Sequence, residues 1–538
     1  MKQVDQYPEE GTRTFFYTQL EEQVKRLEAK YPRRPVKTLL SLIFWSVKQL
    51  TASFFQSMPP HAEKLEVGTP NMLFNIGGGI GDIIIASTYF KELYKHIGGT
   101  HRFSIYTNQN SMSVNGVFNR CPWVERIHDK QATLDFSKFD AVIALGRTPL
   151  VIHRTCESNT ALHERCNKLL QQYIAFEKDI PKFATTSPTN DTLSVMYALM
   201  NGHNRRSQCD IGHTLGLSDE TRSVMVIDED AYVILKTTGL EDRTYITIQR
   251  GVDENRREGN NTRLWLTTHY NELIQRIHAE FPSLSIVQVG RENPESDLVG
   301  IDVDLRGQTS FEELKTVLKQ SALHIDGECG MVHLTHALGG RSAVFFGQTS
   351  VDFCGYPENI NVKAKDACPL WCEWVTDDWQ DRCLRGFDVP PCMEQLTPEL
   401  FFDAIREHLH TVTTEKSASL REIEYTVASE GTILFIGDFE DDAIDKWACP
   451  ENRIWHFSMK LTPESIQNKK DRQIDADYAD ILNIPMKKES CDAVFCSAEQ
   501  HLSHYALREI TRILKTGGML KTGEGRCFVK EICPNQDA

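Results

Sequence analysis

Two acidic residues stand at glycine-rich turns where a carboxylate can do chemistry. The first is Asp82, in Asn75-Ile76-Gly77-Gly78-Gly79-Ile80-Gly81-Asp82, between an apolar run and a helix-like one. Glycines such as Gly79 and Gly81 let a backbone turn tightly and approach a ligand, and a helix N-terminus offers unpaired N–H groups. A dinucleotide fingerprint would place its third glycine where Asp82 stands and an acid after the next strand, where Thr107 and Asn108 are read instead. That departure argues against a dehydrogenase. Asp82 is placed either to act as a base on an acceptor hydroxyl or simply to cap its helix.

The second is Asp326, in His324-Ile325-Asp326-Gly327-Glu328-Cys329-Gly330-Met331-Val332-His333. A strand, a glycine-bearing turn and a short helix in this order present backbone N–H groups suited to a diphosphate. Asp326, Gly327, Gly330, Met331 and His333 are therefore candidate contacts of a diphosphate-bearing ligand. A lone helical histidine is more often structural, but His333 falls in the first turn beside the loop. Upstream, Gln249 ends another strand, and Arg263 precedes a helix. Arg263 is placed to neutralise a departing pyrophosphate, or belongs with Arg256 and Arg257 to a solvated basic loop.

Four cysteines, Cys368, Cys372, Cys383 and Cys392, form a C-x3-C-x10-C-x8-C pattern in an aromatic-rich stretch. Four thiolates suit a structural Zn or Fe, though the spacing matches no common zinc motif, and buried or free thiols are the alternative.

The elements that must position these residues read as α/β. Strands are expected at Met72–Ile76, Phe103–Tyr106 and Ala141–Leu145, with a helix over Ile83–His96. A second series begins at Tyr245–Ile248 and continues with Leu284–Val289, Ala322–Ile325 and Ser342–Phe346, between helices at Thr268–Phe281, Phe311–Gln320, Val332–Leu338 and Glu399–Leu409. Such alternation implies parallel sheets covered by helices, and two units in series place a cleft between them. The expected division is a helical extension at 1–66, a first α/β domain at 67–240, a second at 241–412, a linker at 413–430 and a third domain at 431–538.

A chain of 538 residues exceeds one core, and its net charge of −16 excludes a broad nucleic-acid surface. An odd count of 15 scattered cysteines fits a reducing compartment, and no secretory signal opens the sequence, so a cytoplasmic location is expected. Leu39–Phe55 is apolar with a basic lead-in at Arg33, Arg34 and Lys37, but it is short for a span and carries Lys48. Packing on the protein's own domains is the favoured reading, with peripheral contact of residues 33–55 at the inner membrane face as the alternative.

The Gly-Asp turn, the cation-x-Trp of Arg263-Leu264-Trp265, the D-G-x-x-G-x-x-H-L-T-x-A-L-G run and Phe345-Phe346-Gly347-Gln348-Thr349 together resemble family 9 glycosyltransferases, the ADP-heptose:lipopolysaccharide heptosyltransferases. The resemblance covers about residues 70 to 410. It implies a GT-B fold of two Rossmann-like domains facing a cleft, an inverting transfer of a sugar (heptose foremost) and no catalytic metal. The donor implied is ADP-heptose and the acceptor a surface glycan or a protein. It also implies that Asp82 is the general base, that Arg263 replaces the family's usual lysine on the donor phosphates, and that Asp326 and His333, with Gln249, Gly327, Gly330 and Met331, bind the donor. Protein-glycosylating relatives carry an iron-binding cysteine finger at a different spacing. Glu328-Cys329 within the turn and the N-terminal helices depart from the pattern.

Residues 431–538 resemble part of a class I S-adenosylmethionine methyltransferase, through Asp480-Ile481-Leu482-Asn483-Ile484-Pro485, Cys491–Cys496 and Gly517-Gly518-Met519-Leu520. The first strand runs into Gly437-Asp438-Phe439-Glu440 without a glycine-rich loop, the next strand (Ile454–Phe457) ends without an acid, and the chain is read as stopping before the fold's final strands. The expectation is a degenerate docking or oligomerisation module, with S-adenosylmethionine binding the less favoured reading. The competing classes are a glycan methyltransferase and an inactive nucleotide-sugar-binding scaffold.

Overall fold

The computed structural model describes residues 72–532, apart from 108–110, 119, 130–133, 146–148, 155–163, 180–200, 251–262, 293–296, 365–382, 384, 415–417, 424–430, 449–451 and 498–501. The N-terminal extension, including residues 33–55, lies outside the described residues. Among the described residues, no helix is long and apolar enough to cross a membrane.

The near-continuous apolar runs expected as buried parallel strands form them. The first sheet has the order β3-β2-β1-β4-β5, from β1 (Met72–Ile76), β2 (Phe103–Tyr106), β3 (Val124–His128), β4 (Ala141–Leu145) and β5 (Pro149–Arg154). All pairs are parallel except β4 with β5. Helix α1 (Ile80–His96) crosses from β1 and buries Ile83, Ile84, Tyr89, Phe90 and Leu93.

The second sheet is wholly parallel, in the order β11-β10-β9-β6-β7-β8. Its strands are β6 (Tyr245–Ile248), β7 (Ser285–Gln288), β8 (Val303–Asp304), β9 (His324–Gly327), β10 (Ser342–Phe346) and β11 (Ile360–Lys363). Helices α2 (Thr267–Glu280), α3 (Phe311–Gln320), α4 (Gly330–Ala337) and α5 (Pro398–Thr414) accompany them. Ser310 starts α3 with a reciprocal capping box to Glu313. The strand order reverses between β6 and β9, and a sheet of this kind takes ligands at the carboxyl ends of the strands flanking that point.

The third sheet has seven strands, β12-β18-β17-β16-β13-β14-β15. They are β12 (Ala418–Ile423), β13 (Gly431–Ile436), β14 (Asn452–Phe457), β15 (Ile474–Asp477), β16 (Cys491–Cys496), β17 (Leu514–Lys521) and β18 (Cys527–Ile532). Here the structure corrects the sequence reading. Residues 413–430 are not only a link: they finish α5 and supply β12, which pairs antiparallel with β18 along six residues. β18 in turn runs antiparallel to β17, so the strands read as missing are present, one of them contributed from before β13. The sheet falls short in its crossovers, since the described residues between β15 and β16 hold only an isolated bridge, Asp480 to Asn483.

All three units share one apolar cluster, joining Phe74, Phe90 and Trp123 to Leu314, Val317 and Leu334 and to Tyr478 and Leu482. Polar contacts reinforce the third unit's docking. Asp477 meets Lys91 at 2.9 Å and Lys95 at 3.4 Å on α1. The Asn483 amide donates to the carbonyls of Met225, at 3.2 Å, and Ala337, at 3.1 Å. Tyr505 stacks on Tyr232 with ring centroids 3.8 Å apart.

Candidate active site between the first two units

The carboxyl ends of β1 and β9 face one another through the first turns of α1 and α4. A Cβ on Gly81 would lie 2.6 Å from His333 Cδ2 and 3.3 Å from Gly330 Cα, and one on Gly330 would lie 2.9 Å from the Gly81 nitrogen. Both positions therefore require glycine. The contact brings two helix N-termini, each with partial positive charge, to the same place.

Asp82 sits at that junction and serves two partners. One carboxylate oxygen accepts from the Gly79 N–H at 2.8 Å, capping α1, and the other accepts from the Arg205 guanidinium. Gly78 has φ +95°, and a Cβ there would run into the Asp82 carboxylate, so the turn Gly77-Gly78-Gly79 fits closely around this side chain.

Arg205 was not singled out in the sequence. Its backbone N–H donates to the Phe353 carbonyl of the second unit at 2.9 Å, while its side chain, 7% exposed, reaches Asp82 of the first. Neighbouring Arg206 donates from Nε to Asp219 at 2.9 Å and lies 4.6 Å over the Tyr356 ring. Tyr356, also unmarked in the sequence, shares a 2.6 Å hydrogen bond with His333 Nδ1 and stacks on His336. Burial lowers the His333 pKa against the pull of Glu328, which favours the neutral imidazole.

The second acid at the site is Glu328. Its carboxylate pairs with Arg263 at 2.8 Å and lies 3.8 Å from His333 Nε2. Burial alone would raise its pKa, but Arg263, with His333 and Arg205 adding, brings it down to about 2. Arg263 is thus a paired cation, not part of a solvated loop.

Asp326 lies elsewhere. It is the third residue of β9, buried, and accepts from the Gly327 N–H at 2.7 Å and the Cys329 thiol at 2.8 Å, with His324 Nε2 at 3.3 Å. Burial raises its pKa. It ties down the turn that carries Glu328 and Gly330. Gly327 lets the Phe345 ring close on the strand end, since a Cβ there would lie 2.8 Å from that ring. Met331 is buried in the first turn of α4. Gln249 lies just past β6, at the reversal point: its N–H donates to the Ile325 carbonyl at 3.1 Å and its carbonyl accepts from the Tyr270 hydroxyl at 3.1 Å.

Of the four-cysteine pattern, Cys368 and Cys372 lie outside the described residues, and Cys392 is buried while Cys383 is half-buried. Among the described residues no group of three or more histidine, cysteine or acidic side chains could hold a metal.

On the third unit, the strand ends that would face a nucleotide cofactor are occupied by the chain's own contacts. Asp438, after β13, accepts from Ser458 at 2.9 Å and pairs with Lys460 at 2.8 Å, both after β14. The end of β15 is taken by Asp477 and its lysines on α1.

A family model described as a methyltransferase domain matches residues 455–521. No curated protein matches the chain. Among solved structures, the chain is similar to Escherichia coli ADP-heptose lipopolysaccharide heptosyltransferase II at 13% identity, covering 63% of this chain and 99% of that one, with a TM-score of 0.39. It is similar to the iron-containing dodecameric glycosyltransferase TibC from enterotoxigenic E. coli at 14% identity, covering 65% and 79%, with a TM-score of 0.41. An S-adenosyl-L-methionine-dependent methyltransferase of Methanococcus maripaludis, itself described as putative, is similar at 24% identity over 17% of this chain and 48% of that one, with a TM-score of 0.15.

Proposed function

We propose that the protein is a glycosyltransferase moving a sugar from a nucleotide-diphosphate donor to a hydroxyl acceptor, with its reaction centre at the Asp82 junction. The observation that carries the reading is the Gly81–Gly330 contact, which sets a carboxylate of the first unit, paired with Arg205, beside the helix N-terminus and histidine of the second. A carboxylate next to fixed N–H groups suits a single displacement. Asp82 accepts the acceptor hydroxyl's proton as that oxygen attacks the anomeric carbon, and the diphosphate leaves toward the α4 N-terminus. One displacement inverts the anomeric carbon.

ADP-heptose is the donor suggested by the motifs, with a surface glycan or a protein as acceptor. No step of this scheme passes through a metal; a Zn or Fe bound by Cys368, Cys372, Cys383 and Cys392 would have a structural role. The third unit serves as a docking module: the Asp438–Lys460 pair and the engagement of Asp477 speak against S-adenosylmethionine binding, although the family match keeps methylation as the second reading.

The test is to offer the purified protein a panel of nucleotide sugars, ADP-heptose among them, with S-adenosylmethionine alongside, and to measure binding and nucleotide release. Selective nucleotide-sugar binding with diphosphate release supports the transferase and names its donor. Binding of S-adenosylmethionine alone overturns it in favour of the third unit.

A further inference from the structure

We infer that Arg205, not Arg263, is the cation that receives the departing diphosphate, and that it does so in exchange for the charge of Asp82. The inference rests on the transferase reading above and concerns the residue that reading left unassigned.

Arg263 is committed. Its guanidinium donates both to the Glu328 carboxylate and to the Glu328 carbonyl, so its charge is met by the turn that follows β9. Arg205 is differently placed. One guanidinium nitrogen, Nη2, bonds Asp82, while Nη1 is buried and has no partner among the described residues. Its side chain is only 7% exposed, so water does not readily supply what Nη1 lacks. The adjoining features are the α4 N-terminus, brought to Asp82 by the Gly81–Gly330 contact, and the Tyr356–His333 pair. A buried donor without a partner, beside a helix N-terminus, suits an anion with several oxygens.

The charge accounting gives the arrangement its use. Before reaction, Arg205 faces the Asp82 carboxylate. As the acceptor O–H bond breaks, the proton passes to Asp82, which becomes neutral. The acceptor oxygen bonds the anomeric carbon, the bond from that carbon to the diphosphate oxygen breaks, and its electron pair leaves with the diphosphate. Negative charge thus leaves one side of Arg205 and appears on the other, so a fixed guanidinium is paired throughout. A fork with two separate faces does this, whereas the single ammonium of a lysine cannot hold both positions.

The experiment follows transfer kinetics with the donor that the panel identifies, for the wild-type protein, R205M and R205K. A wild-type protein without nucleotide-sugar activity overturns the transferase reading itself. Given wild-type activity, R205M is expected to lower kcat by roughly a hundredfold or more with donor KM within a few-fold, and R205K by roughly tenfold. The preference for nucleoside diphosphate over monophosphate as an inhibitor should shrink in both variants. Should R205M not fold, R205K carries the test. An R205K or R205M enzyme with unchanged kcat and an unchanged diphosphate preference overturns the assignment.

Discussion

Lys319 of the second unit and Glu509 of the third lie 2.9 Å apart with both side chains only 5% exposed. Lys319 also donates to the Asn483 side chain and to the Leu338 carbonyl at the end of α4, each at 3.0 Å. Burial pushes the Lys319 ammonium down to about 8 against the attraction of Glu509. Burial would raise Glu509, but Lys319 and Arg512 hold its carboxyl down to about 2. The third unit is thus bolted to the end of the helix whose first turn forms the site. Removing one partner leaves a buried charge, so Lys319→Met is expected to cost about 3–5 kcal/mol. The double variant with Glu509→Leu should recover part of that. Urea unfolding of the wild-type protein and the two variants measures it.

The glycine contact between α1 and α4 tolerates no side chain. Gly330→Ala would place a Cβ 2.9 Å from the Gly81 nitrogen, where backbone, not a flexible side chain, must yield. Stability should fall by about 1–3 kcal/mol, and transfer should fall with it because Asp82 moves away from α4. Gly79→Ala is the control, since the nearest atom to its added Cβ is the Asp82 carboxylate oxygen at 3.9 Å. Melting temperature and kcat, compared across the two variants, decide the matter.

Asp82→Asn keeps an oxygen to cap Gly79 but cannot take a proton. Transfer is expected to fall by about 10²–10⁴-fold while stability changes by no more than about 1 kcal/mol. A variant that transfers at the wild-type rate would leave Asp82 as a cap only.

Acid should loosen the third unit before the rest. Burial opposes ionisation of Asp477, but Lys91 and Lys95 outweigh it and lower the carboxyl to about 2 from an ordinary 3.8. Its folded pKa lies below its unfolded one, so the stabilisation is complete above about pH 4 and is lost as pH falls toward 2. The shift corresponds to something on the order of 2 kcal/mol. Stability measured between pH 5 and 2.5 should decline, with a shallower decline in Asp477→Asn.

The sheets were legible where apolar runs were long and bounded by glycine. Met72–Ile76, Phe103–Tyr106 and Ala141–Leu145 were read to the residue, because strands covered on both faces need no alternation. β12 was not, since Ala-Ser-Leu-Arg-Glu-Ile at a sheet edge carries only two large apolar residues. At the site, the strand boundary decided which acid mattered. Ending β9 at Ile325 puts Asp326 in the turn, but the strand runs to Gly327, so Asp326 is buried in it and Glu328 is the first acid beyond. Arg205 stands in a run of turns with no periodicity, and its only mark was the pair Arg205-Arg206 itself.

Because β12 precedes β13 yet closes the far edge of the third sheet, the unit's chain order and its strand order do not begin at the same point. A protein begun at residue 431 would keep every other strand of that sheet but leave β18 with a row of unanswered N–H and C=O groups. Such a fragment would invite strand pairing with other copies, so the unit's true starting point for expression or grafting lies before Ala418, inside what reads as its tether.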